Sequence, residues 1–68
     1  MENDYETLNK LLSESAANLD KAAHMIRDLD LSPEANIKKI GEALANIFEL
    51  QLQIYRLRPD LKPNFLKK

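Results

Sequence analysis

The chain has 68 residues, a formal net charge of −1 and no cysteine, which excludes a disulfide framework, a thiolate zinc site and cysteine-based catalysis. Its apolar residues (44%) include twelve Leu, seven Ala and five Ile with no Val or Trp, a composition that favours helix over strand. No apolar run exceeds three residues, against the ~20 that span a bilayer, and Met1-Glu2-Asn3-Asp4 is unlike a secretory or transit signal; the expectation is a soluble, cytoplasmic, all-α chain.

Tyr5, Leu8, Leu12, Ser15, Leu19, Ala22, Ile26 and Leu29 recur at alternating steps of three and four, which predicts a first helix over about 4–29. Leu11, Ala16, Ala23 and Met25 widen the stripe to the breadth of a bundle helix. Asn3 and Glu6 can form a variant capping box. No glycine follows Leu29, so the commonest helix stop signal is missing. The restart is marked instead: Ser32 stands at an N-cap, Pro33 at the first helical position and Glu34 in the first turn. Leu31 could staple this turn only to Asn36, a poor apolar partner.

A second helix over about 33–57 carries Ile37, Ile40, Leu44, Ile47, Gln51 and Ile54 at the same spacing, with Gly41, Phe48 and Tyr55 on the adjoining line. Arg58 precedes Pro59 and so avoids the α region, which ends the helix near Leu57. Residues 1–58 then form one antiparallel two-helix hairpin. Residues 59–68, with Pro59 and Pro63, read as an extended tail anchored by Leu61, Phe65 and Leu66.

Such a hairpin has little to hold it alone. Ordering costs ~1.5 kcal/mol per residue and burial returns ~25 cal/mol per Å², which nearly cancel for two helices of about 25 residues. Leu50, Leu52 and Leu57 point away from the main seam of the second helix and would be left wet. The expectation is a homodimer, two hairpins closing into a four-helix bundle, with Leu50, Leu52, Tyr55, Leu57, Leu61, Phe65 and Leu66 in the protein interface. Ser15, Ala16, Ala22, Ala23, Gly41 and Ala45 would permit close backbone approach. Gln51, the polar member of the second stripe, should pair with its symmetry mate or a neighbouring polar group. Residues 1–34 hold eight acids and three bases (net −5) and residues 35–68 three acids and seven bases (net +4). An antiparallel hairpin brings Glu2, Asp4 and Glu6 near Arg56, Arg58 and Lys62, with each sign at the helix end that suits it.

The residues offer no catalytic, cofactor or metal site. Asp20, His24 and Asp28 share one ridge but lie open to water opposite the stripe. No Glu-x-x-His occurs for a di-iron bundle, Ser13 and Ser15 have no histidine on their face, and Glu42 and Glu49 lie on a surface line. The function expected is therefore a non-enzymatic protein–protein interaction or regulatory module. The alternative is a small dimeric RNA- or DNA-binding regulator using Lys38, Lys39, Arg56 and Arg58. Against it stand the pI near 5.7 and bases that are scattered and interleaved with acids, with no aromatic expected to lie exposed among them for stacking. A further alternative is a subunit or chaperone that folds with another protein. A membrane-surface role requires a basic polar face, which the first helix lacks.

Overall fold

In a computed structural model that describes residues 4–63, the chain is an all-helical hairpin: α1 (Asp4–Asp28), α2 (Pro33–Leu57) and a 3-10 turn at Pro59–Leu61. Both helices have 25 residues and they pack against each other. Residues 1–3 and 64–68 lie outside the described part, and with them Asn3 of the expected capping box and Phe65 and Leu66 of the expected tail anchor.

The α1 terminus shows how a helix stops without glycine. Asp30 takes a left-handed conformation (φ 53°), its N–H donates to the Arg27 carbonyl at 3.1 Å, and the Leu31 N–H donates to the Ile26 carbonyl at 3.0 Å. Those two bonds define a Schellman motif with Asp30 where glycine is usual. Aspartate is among the few residues that visit this region at moderate cost.

Ser32 stands at the α2 N-cap as its spacing predicts, but its side chain does not cap. It adopts φ 39° and ψ 58°, away from the extended geometry in which a serine hydroxyl reaches back to the first turn, and makes no side-chain cap bond. Asn36 fastens the turn instead. Its Nδ2 donates to the Leu31 carbonyl at 2.8 Å and its backbone N–H donates to the Ser32 carbonyl at 3.0 Å. The residue unsuited to an apolar staple thus joins α2 to the loop through its amide.

Beyond α2 the chain coils before it extends, a correction to the expected tail. Pro59 has the fixed φ that a 3-10 turn needs, and the Leu61 and Lys62 N–H groups close on the Arg58 and Pro59 carbonyls at 3.0 and 3.1 Å. Asp60 accepts from Arg58 Nε at 2.9 Å and Nη2 at 2.7 Å, a fork that holds the turn against the helix end. Extended backbone resumes at Lys62 (φ −66°, ψ 131°).

The seam on α2 follows the predicted stripe, with Ile37, Ile40, Leu44 and Ile47 half-buried and Gln51 and Ile54 buried. On α1 it is rotated from the expected line. Leu12, Leu19, Ala22 and Ile26 of that line are half-buried, but the neighbours that join them are Asn9, Ala16 and Ala23, while Tyr5, Leu8, Ser15 and Leu29 are exposed. The apolar stripe is wider than one neighbouring helix can cover, and α2 takes only half of it. Among the described residues Ile54, 4% exposed, is the single buried apolar side chain, and α1 buries none. Gly41 makes no close approach either, because a Cβ there would meet nothing within 4 Å.

The result is a layer rather than a ball. Its extents are 43 × 25 × 17 Å, and its radius of gyration is 14.3 Å where a compact chain of this length has about 11 Å.

Candidate interaction surface

Two broad faces flank the seam, and they differ. On the first, Tyr5, Leu8 and Leu12 of α1 and Leu50, Ile54 and Leu57 of α2 line one shallow groove. At 100° per residue, Leu11, Ala22, Met25 and Leu29 continue this side of α1 toward the loop. Leu8, Leu11, Met25, Leu29, Leu50 and Leu57 are all exposed. Both helices therefore contribute apolar side chains to this face.

On the opposite face only α2 is apolar. Phe48 and Leu52 are exposed there, on the line that includes Gly41 and Tyr55. The adjoining side of α1 presents Glu6, Asn9, Ser13 and Asp20, and Gln51 turns toward it, its Nε2 donating to Asn9 Oδ1 at 3.1 Å and Ser13 Oγ at 2.9 Å. The polar partner expected for Gln51 thus lies within the same hairpin. Near the end of α2, Leu52, Tyr55, Arg56, Pro59 and Lys62 form a second groove.

The predicted interface residues are thus divided. Leu50 and Leu57 lie on the first face; Leu52 and Tyr55 lie on the second, with Tyr55 half-buried. Leu61 is half-buried in the 3-10 turn. The sequence reading missed Leu8 and Leu11 as surface residues. Their signal was present in the breadth of the α1 stripe, since a stripe that wide cannot be covered by α2 alone.

The basic candidates do not assemble. Lys38 and Lys39 are exposed in the second turn of α2, about 27 Å along the helix from Arg56 at 1.5 Å per residue. Glu42 and Glu49 stand between them, and Arg58 is engaged by Asp60. His24 Nε2 lies 3.7 Å from Asp20 Oδ2 with both side chains exposed. Among the described residues no three histidine, aspartate or glutamate side chains come together to hold a metal, and no helix is long and apolar enough to cross a membrane.

No family model, curated protein or solved structure shows a significant match to the chain.

Proposed function

We propose that the chain is a protein–protein interaction module that works through the apolar Leu8–Leu50 face of its hairpin, in an assembly such as a four-helix bundle that covers this face. The observation that carries the reading is the imbalance of burial. One apolar side chain is buried among the described residues, whereas ten large ones are exposed, among them Tyr5, Leu8, Leu11, Leu50, Leu52 and Leu57 at the open end of the hairpin. A face of leucines offers anchors that gain by leaving water, at about 25 cal/mol per Å². The scattered lysines and the acids between them favour this reading over nucleic-acid binding.

The test is the mass and helicity of the purified chain at low and high salt. Association through leucines gives a mass above 7.8 kDa that added salt does not lower, whereas contacts to phosphate weaken steeply with salt. A chain that loses its helices when isolated also fits, since it lacks its cover. A monomer that keeps both helices overturns the reading, because its apolar face then needs no partner.

A further inference from the structure

We propose that the covering partner is a second copy of this chain, seated on the Leu8–Leu50 face about a two-fold axis parallel to the helices, so that each α1 lies on the partner's α2. The inference rests on the interaction-module reading and adds the identity and orientation of the partner.

The area comes first. The chain exposes 5518 Å², whereas a compact monomer of 7.8 kDa exposes about 4,400 Å². The excess of about 1,100 Å² per chain exceeds the ~800 Å² that each partner of a stable complex buries. Stacking two such layers, each 25 Å wide and 17 Å thick, on their broad faces covers one face of each copy and gives a four-helix bundle.

The choice of face follows from composition. A face-to-face dimer buries both helices of each copy, so both must be apolar on the buried side. Only the first face meets that condition at the open end, where leucines of both helices line one groove with Gln53 at its edge, since α1 beside Phe48 and Leu52 presents Glu6, Ser13 and Asp20.

The axis follows from position along the hairpin. At the open end Leu8 and Leu11 lie level with Leu50 and Leu57; at the loop end the same face carries Met25 and Leu29 on α1 but Asn36 and Lys39 on α2. An axis perpendicular to the helices would lay α2 on α2 and set Leu50 and Leu57 against Lys39 and Asn36, so that the leucines of α2 meet no apolar partner. It would also lay the acidic α1 on itself. An axis parallel to the helices keeps the leucine-rich ends together.

The two arrangements differ in where the loops lie. Parallel pairing puts both loop tips at one end of the bundle, within about 25 Å given interaxial spacings of 8–10 Å. Perpendicular pairing puts them at opposite ends, about 37 Å apart or more for 25-residue helices. The chain lacks cysteine, and Leu31 is an exposed loop residue, so Leu31→Cys carries a single spin label without touching either face. Light scattering gives the mass of the labelled chain, circular dichroism its helicity, and double electron–electron resonance the distance between labels.

The expected result is a helical species of twice 7.8 kDa with a label separation below about 25 Å. A helical dimer with labels about 37 Å apart or more overturns the proposed orientation and leaves the module reading standing. A monomer without helices overturns the self-partner and leaves a foreign partner as the cover. A monomer with intact helices overturns both.

Discussion

Gln51 of α2 reaches across the hairpin to Ser13 of α1, its Nε2 donating to the hydroxyl at 2.9 Å while the same nitrogen donates to Asn9 Oδ1 at 3.1 Å. The amide is 7% exposed in a seam that, Asn9 aside, is made mainly of isoleucine, leucine and alanine. Sliding α2 by one turn would carry it from both partners and leave a buried donor unmade, which costs about 1–3 kcal/mol. The contact therefore fixes the height of one helix against the other.

Replacing this donor separates its polar role from its volume. Gln51→Glu puts a carboxylate before two oxygens with no proton to give, and should lower unfolding free energy by about 1–3 kcal/mol in urea titrations followed by circular dichroism. Gln51→Leu should stay within about 1 kcal/mol of the parent, because Ser13 is exposed and Asn9 half-exposed, so both can turn to water. Equal losses in the two variants would show that the site responds to volume rather than to the hydrogen bonds.

Much of the hairpin is legible from spacing. Pro33 and Pro59 punctuate α2 within two residues of its ends, and its seam is the predicted stripe residue for residue. The α1 seam is not, for a physical reason. Its apolar residues occupy two neighbouring lines, one through Leu8 and Ser15 and one through Leu12 and Leu19, and periodicity measures their joint width without saying which half a neighbour covers. Asn9 counts against the true seam until its partner, 42 positions away, is known. The Asp30 stop was hidden because the left-handed position is usually glycine, and an aspartate there reads as ordinary loop.

Leu50 and Leu52 provide the sharpest contrast between the two faces. They are nearly equally exposed, at 49% and 51%, yet lie about 200° apart around α2, the first beside Leu8 and the second beside Tyr55. Leu50→Asp should raise the dissociation constant of the assembly at least ~30-fold, the effect of losing an anchor worth about 2 kcal/mol. Leu52→Asp should leave it within about threefold, since an exposed site away from the interface changes energies by no more than ~0.5 kcal/mol. Sedimentation equilibrium on the two variants decides the matter, and a larger loss for Leu52→Asp would move the interface to the opposite face.

Asp30 pays a conformational cost at φ 53° that glycine would not. Asp30→Gly should raise the unfolding free energy by about 0.5–1 kcal/mol, and Asp30→Val should lower it by about 1–2 kcal/mol, since a β-branched residue is the poorest fit to this region. Both readings come from the same urea titration. A gain in Asp30→Val would mean that the left-handed stop is not held in solution.

Gly41 is exposed in the interior of α2 with open space around it, so nothing offsets the entropy that glycine loses in a helix. Gly41→Ala should add about 0.5–1 kcal/mol of stability and leave the mass of the assembly unchanged. If the variant dissociated, a second chain would have to approach the backbone at Gly41, which lies on the Phe48–Leu52 side.

Coupling between folding and association gives the last prediction. If the proposed partner covers the Leu8–Leu50 face, a layer with one buried apolar side chain among its described residues draws most of its stability from that cover, so unfolding and dissociation should be one transition. Its midpoint then depends on concentration. Each tenfold rise in chain concentration adds about 1.4 kcal/mol to the folded dimer, or about 0.7 kcal/mol per chain, by mass action. For a chain of this size that shifts Tm upward by about 3–5 °C. Thermal melts from micromolar to millimolar chain should therefore move steadily upward, and the apolar origin of the contact predicts the same slope at low and high salt. A Tm independent of concentration would require each hairpin to stand alone, and the exposed Leu8, Leu11, Leu50 and Leu57 would then contribute nothing to holding it folded.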